Sequence, residues 1–291
     1  MTKKAYRGEY RIQASTNISP GVFELQIVAS EIAKAASAGQ FVNIYLPGGD
    51  MLLPRPIGIA DSTGDTLVLV YAVVGNGTKA LTCYKNGDFI ELMGPMGTGF
   101  FDYPGSPADK TETGGSARVD EVLLIGGGTG VPPLHFAARM LKQINGGPLK
   151  LTACLGFSAE PWYRGDFEEV CDEVRISSEA EGTADFHGNV IELLDMVYQE
   201  NRPSMALACG PGPMLAAASK WCDDRDIPLR VSLEERMGCG YGACAGCTIA
   251  TRPLNDANKP QNGPEAPEIK GIVKKKVCVH GPVFWADEVV W

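Results

Sequence analysis

Four of the nine cysteines stand in a pattern with chemical meaning. Cys239, Cys244 and Cys247 follow the spacing C-x4-C-x2-C, and Cys278 answers 31 positions later. That is the plant-type arrangement for a [2Fe–2S] cluster held by four thiolates. Gly240, Gly242 and Gly246 let the segment between the first ligands curl tightly, so that backbone N–H groups can point inward at electron-rich sulfur. Zinc is the competing metal. Structural zinc, however, usually takes two short ligand pairs, and here there is one C-x2-C with Cys278 standing alone. The remaining reading is a set of reduced, unliganded loop thiols; three of them within nine residues, without an apolar period to bury them, weigh against it.

Three further stretches could hold phosphate. In Leu53-Pro54-Arg55-Pro56-Ile57-Gly58 an arginine sits between prolines on a stiff, extended backbone, and its fork of donors suits a diphosphate; a surface arginine in a turn is an equal reading of this stretch alone. In Tyr71-Ala72-Val73-Val74-Gly75-Asn76-Gly77-Thr78 a strand runs through glycines into a helix start, where free N–H groups and the Thr78 hydroxyl would accept a phosphate. Such a turn also commonly serves only itself. The third is Gly126-Gly127-Gly128-Thr129-Gly130 after the apolar strand 121–125 and before the helix 134–144, a βα turn of the dinucleotide type whose spacing meets G-x-G-x-x-G only loosely. Cys209 closes another apolar strand, 205–209, at the carboxyl edge where ligands sit in such sheets, and buried filler is its alternative. His135, His187 and His280 lack metal spacing and read as core or surface residues. With no Ser-His-Asp set and no paired carboxylates, the set is a redox one rather than a hydrolytic one.

The elements that must position these residues change character along the chain. Alternating runs at 10–14, 23–28, 41–46, 66–74 and 88–92, punctuated by Gly and Pro, predict a small antiparallel barrel over 1–101. Residues 102–119 form a polar, aperiodic linker or insertion. Strands at 121–125, 149–155 and 205–209 alternate with helices, including one at 190–200, and predict a Rossmann-like parallel α/β domain over 120–230. Residues 231–291 then form a small cysteine-bearing module. The 291-residue length suits about two domains with an appended module, and 44% hydrophobic content is ample for packed cores. A net charge of −9 argues against nucleic acid as a partner. No apolar run is long enough to span a bilayer, and unpaired thiols fit a reducing, cytoplasmic compartment.

Taken together, Arg55-Pro56-Ile57, Tyr71 with Val73-x-Gly75-x-Gly77-Thr78, Gly94-Pro95-x-Gly97, Gly126–Gly130 with Pro132-Pro133, and Cys209-Gly210-Pro211 with Met214 carry a resemblance. So do Ser232-Leu233-Glu234, the cysteine loop, and Val277-Cys278 with Gly281-Pro282-Val283-Phe284, the last two sets being the most specific. The chain resembles, over nearly its whole length, the electron-transfer subunits of the two-subunit, NAD-linked dihydroorotate dehydrogenases of pyrimidine biosynthesis, a branch of the ferredoxin-reductase superfamily.

The resemblance implies FAD in the barrel, NAD in the α/β domain and a [2Fe–2S] cluster in the C-terminal module. Its partner would be an FMN-containing dihydroorotate dehydrogenase catalytic subunit in a hetero-oligomer. Arg55 would hold the FAD diphosphate with Gly77 and Thr78. Pro56, Ile57, Gly58, Tyr71 and Val73 would belong to the flavin site. Gly126, Gly127, Gly128, Thr129 and Gly130 would hold the NAD diphosphate, and Cys209 would lie near the nicotinamide. Where the family usually has serine after Arg-Pro-Ile, this chain has Gly58, and a hydroxyl near the flavin is missing. Segments 102–119 and 254–271 look longer than the family needs and read as solvent loops. The absence of an arginine pair after Phe157-Ser158 favours NAD over NADP. Two other functions compete. One is a flavin/iron–sulfur reductase subunit of another complex, of ferredoxin–NADP reductase or hydrogenase type, some of whose members lack a cysteine at the position of Cys239. The other is a non-catalytic, zinc-stabilised binding module.

Overall fold

The computed structural model describes residues 4–48, 51–103, 119–144, 148–182, 184–199, 202–253 and 271–291. Most of the segments 102–119 and 254–271 therefore lies outside the described residues.

The N-terminal strands are β1 (Tyr6–Ser19), β2 (Val22–Val28), β3 (Phe41–Tyr45), β4 (Arg55–Thr63), β5 (Thr66–Ala72) and β6 (Phe89–Met96), with the short helices α1 (Ser30–Ala35) and α2 (Asn76–Leu81) between them. They close into an antiparallel barrel in the order β1-β2-β5-β4-β3-β6. The alternation that predicted strands is the alternation that fills the barrel: Ile12, Leu25, Ile27, Ile44, Leu67 and Leu69 are all fully buried. The stretch around Arg55-Pro56 proves to be the start of a nine-residue strand. Its prolines and glycine hid the strand pattern, and pairing with β3 and β5 supplies what local propensity lacks.

Seven strands form the second sheet. β7 (Glu121–Gly127), β8 (Lys150–Phe157), β9 (Glu173–Ser178), β10 (Phe186–His187), β11 (Met205–Cys209), β12 (Leu229–Ser232) and β15 (Val283–Trp285) lie in the order β10-β9-β8-β7-β11-β12-β15. All neighbours are parallel except β15, which runs antiparallel to β12. Helices α3 (Val131–Ile144), α4 (Arg164–Glu168), α5 (Val190–Val197) and α6 (Gly212–Asp223) make the connections. α5 starts at a capping box in which the Asn189 side chain accepts from Ile191 and Glu192 N–H, and the Glu192 carboxylate accepts from Asn189 N–H. It stops at Val197, short of the expected 200.

β15 ties the C-terminal segment into this sheet, and β12 itself spans the two sides of position 230. Among the described residues the rest of the segment holds the hairpin of β13 (Thr248–Thr251) and β14 (Val273–Lys276), helix α7 (Val277–His280) and a 3-10 turn at Ala286–Glu288. Barrel and sheet share one continuous core containing Tyr71, Phe100, Leu124 and Leu134. Arg139 of α3 also pairs with Asp61 of β4, so the helix after the glycine turn is fixed against the barrel.

Candidate functional site

The four predicted cysteines converge as two pairs. Cys247 and Cys278 place their sulfurs 3.3 Å apart in a buried position. Cys239 lies beside Cys244, whose backbone N–H points at the Cys239 sulfur at 3.3 Å. Burial pushes the Cys239 thiol up, but N–H groups of Cys244, Tyr241 and Ala243 aimed at the sulfur overcome this and bring it down to about 6. The Cys278 thiol, by contrast, is pushed up to about 12 by burial and by its neighbour Cys247. Among the described residues no three His, Cys, Asp or Glu side chains gather as ligands of a single metal ion. Two thiol pairs and inward-facing amides suit two irons bridged by sulfide better than one tetrahedral zinc.

Beside the cysteines a cavity of about 270 Å³ opens between barrel and sheet. The structure brings Pro56, Ile57, Gly58, Tyr71 and Thr78 from the barrel together with Thr129 and Cys209 from the sheet around it. Tyr71 is 2% exposed, and its hydroxyl is buried without a hydrogen-bond partner. Burial pushes that phenol up to about 12, so it remains a donor at neutral pH. An orphaned donor in the wall of a largely apolar cavity fits a planar, heteroatom-rich ligand such as a flavin.

Arg55, Val73 and Gly77 are not part of that wall. The Arg55 side chain instead lies across Gly77, where an added Cβ would fall 1.8 Å from Nε. Its guanidinium turns back to the carbonyls of Leu53 and Pro54. This puts a cation at the start of α2, as a diphosphate requires. The Thr78 hydroxyl differs from its expected use: it accepts from Val74 N–H at 2.9 Å and Gly75 N–H at 3.2 Å, and so is spent on the turn.

A second cleft, of about 290 Å³, is lined by Gly127, Gly128 and Thr129 of the glycine turn, with Phe157 and Trp162 opposite. Gly128 takes φ +52° with nothing within 4 Å of where a Cβ would stand, so its backbone faces open space. Gly126 and Gly130 have a different task, packing behind the turn: a Cβ on Gly130 would fall 2.3 Å from the Cys209 carbonyl. Cys209 itself lines the first cavity rather than this cleft. Burial pushes its thiol up to about 12, which keeps it a neutral wall atom.

The two spaces share Ala72, Thr129 and Glu234. Glu234 has its carboxyl raised by burial. Sequence reasoning left Glu234 inside a motif without a role, and it missed Phe41 and Met237, which also line the first cavity. No local signal marks them, because the wall is made by elements distant in the chain. Met237, two residues before Cys239, and Pro282, four residues after Cys278, line the same cavity. A wider groove of about 530 Å³ between α6 and Trp291 shares no wall residue with either.

Comparison with known proteins agrees with this geometry. Residues 234–290 match the family model for the iron–sulfur cluster binding domain of dihydroorotate dehydrogenase B. The "Dihydroorotate dehydrogenase B (NAD(+)), electron transfer subunit" of Caldanaerobacter subterraneus subsp. tengcongensis is 32% identical over 97% of both chains. That of Shouchella clausii is 34% identical over 100% of both. Among solved structures, an NADH-dependent reduced ferredoxin–NADP oxidoreductase described for flavin-based electron bifurcation superposes with TM-score 0.76 at 26% identity, covering 97% of this chain and 90% of that one. A ferredoxin NADP+ reductase from Neisseria gonorrhoeae with bound FAD and NADP shares the fold alone, with TM-score 0.56 and 16% identity over 75% of this chain and 91% of that one. Sequence identity above 30% across the full length, with the barrel, the sheet and the matching cluster domain, means that the chain belongs to the electron transfer subunits of dihydroorotate dehydrogenase B (NAD(+)).

Proposed function

We propose that this chain carries electrons between an FMN-containing dihydroorotate dehydrogenase catalytic subunit and NAD+, as one component of a hetero-oligomer in pyrimidine biosynthesis. The observation that carries the proposal is that the first cavity is lined by Met237 and Pro282 from the two cysteine-bearing segments and shares Thr129 and Glu234 with the nucleotide cleft. When bound, a [2Fe–2S] cluster and FAD supply one-electron transfer and hydride chemistry respectively.

The chain's own work is to hold and orient. Cys239, Cys244, Cys247 and Cys278 would hold the cluster, and the amides around Cys239 would offset thiolate charge. Pro56, Ile57, Gly58 and Tyr71 form the wall for the flavin ring, with the Tyr71 hydroxyl offering a donor. Arg55, which lies across Gly77 next to Thr78, would hold the FAD diphosphate. Gly127, Gly128 and Thr129 would receive the NAD diphosphate, backed by the close packing of Gly126 and Gly130. Cys209 and Glu234 would face the nicotinamide where it meets the flavin, and orienting it there would be the protein's contribution to hydride transfer. Nine cysteines with no disulfide among them support a reducing, cytoplasmic setting; among the described residues no helix is long and apolar enough to cross a membrane.

The test is co-expression with an FMN-containing catalytic subunit, followed by an assay of dihydroorotate-dependent NAD+ reduction. The expected result is a stable complex with that activity. A stable complex that passes electrons from NADH to ferredoxin and leaves dihydroorotate untouched would instead support the second reading, a ferredoxin-linked reductase, to which the 0.76 superposition lends weight.

A further inference from the structure

Strand β3 separates two environments by alternation. Val42 and Ile44 belong to the barrel core, whereas Phe41 packs in the cluster of side chains that contains Cys247 and Cys278. Asn43 shares the Phe41 face, since alternate residues of a strand point the same way. An outward polar residue on a barrel strand ordinarily meets water, yet Asn43 is 0% exposed. Its Nδ2 donates to the Cys239 carbonyl at 2.9 Å. Its Oδ1 is buried without a hydrogen-bond partner. A buried amide with part of its capacity unspent costs stability, so packing alone does not account for it. Gly240 presses on it from above: with φ +73°, a Cβ there would fall 2.5 Å from the Asn43 amide nitrogen. The loop of the first ligand thus docks on one barrel side chain.

The same strand leads to the flavin cavity. In the β3–β4 ladder Asn43 stands opposite Pro56, Val42 opposite Ile57 and Phe41 opposite Gly58. Pro56, Ile57 and Gly58 all line the cavity. One hydrogen bond and one strand ladder therefore join the Cys239 backbone to the cavity wall. We propose that Asn43 is a positioning residue for electron exchange between cluster and flavin: its carboxamide pins the Cys239 loop to β3 and completes a bonded route from the first ligand to the wall. The inference rests on the relay proposed above. In the direction driven by NADH, one electron leaves the reduced flavin and enters the oxidised cluster, and no bond forms or breaks. Tunnelling weakens steeply with each ångström of empty gap and less along bonds, so a loosened loop slows this step before it harms either cofactor site.

Two variants test it in the FAD- and cluster-loaded chain complexed with its catalytic subunit. Asn43→Leu keeps the branching, at somewhat greater bulk, and removes the hydrogen bond; Asn43→Asp keeps the shape and sets a carboxylate oxygen against the Cys239 carbonyl. After mixing with NADH, cluster reduction is followed by stopped-flow absorbance and freeze-quench EPR, normalised to cluster content. Both variants should reduce the cluster about tenfold more slowly, with altered EPR g values and unchanged NADH-to-dye reduction. In the cluster-free chain, amide exchange over 238–246 should rise in both while β7 and β11 keep their protection. Parent-like cluster reduction in Asn43→Leu overturns the inference and leaves the relay standing, whereas a parent protein that passes no electrons from flavin to cluster overturns the relay itself. Complete loss of the cluster from both variants also overturns the inference, because Asn43 would then serve assembly rather than transfer.

Discussion

The nucleotide sheet and the cysteine loop solve the same problem, holding a ligand at a fixed place, by opposite means. In the sheet, β11 is buried at every residue and its neighbour β7 at all but the first, so the apolar core fixes the glycine turn before any nucleotide arrives. The cysteine loop has no regular secondary structure from Leu233 to Cys247, and the β13–β14 hairpin beside it is four residues a side. Such a hairpin is marginal alone. What holds the loop are point tethers: the Asn43 amide on Cys239, the Lys276 ammonium on the Gly242 carbonyl, and the thiols themselves. A site built on a core is rigid without its ligand, whereas a site built on tethers gains much of its order from the metal.

The largest test of that contrast is Cys278→Ala. Dihydroorotate-dependent NAD+ reduction should fall to background while FAD stays bound and NADH-to-dye reduction continues. Amide exchange should rise across β13 and β14 and stay slow in β7 and β11. Equal loss of dye reduction would mean that the carriers are ordered differently.

A smaller effect is expected where the core does the holding. In Gly130→Ala the new Cβ meets the Cys209 backbone, which cannot step aside as a side chain could. The variant should lose about 1–3 kcal/mol of stability and show a raised KM for NADH, with the cluster EPR signal unchanged. A parent-like Tm with a parent-like KM would show that the turn is looser than its packing implies.

Gly58→Ser should do least. A Cβ there meets only Pro133 at 3.7 Å, an ordinary contact, so stability should move by less than about 0.5 kcal/mol. The gain is a hydroxyl in the wall of the flavin cavity. A hydrogen bond worth about 1 kcal/mol would shift a two-electron potential by about 20 mV, readable by redox titration of the bound FAD. An unshifted potential would place the hydroxyl out of reach of the ring.

Much of this molecule was legible one segment at a time. The barrel strands showed in alternation because each has one face inside, and β7, β8 and β11 showed as continuous apolar runs because both faces are covered, whereas the polar-rich β9 and β12 did not show. Strand β4 did not show, since Pro56 and Gly58 mask a pattern that only pairing with β3 reveals. Arg55 was recognised as a phosphate-binding candidate, but not its resting contact with the Leu53 carbonyl. The Thr78 hydroxyl was credited to a ligand and belongs to its own turn.

The sequence alone singled out Cys239, Cys244, Cys247 and Cys278 as the candidate ligand set, because thiolate spacing and the glycines that allow a tight curl are local properties of the chain. Only the tertiary structure decided how the thiols pair, that β15 returns to close the edge of the nucleotide sheet, and that Thr129 and Glu234 stand in two cavities at once. It also decided that Asn43 meets Cys239 across 196 positions. The physical reason is the same in each case: these contacts join residues far apart in sequence, and burial and hydrogen bonding between distant segments leave no periodic or spacing signal in either one.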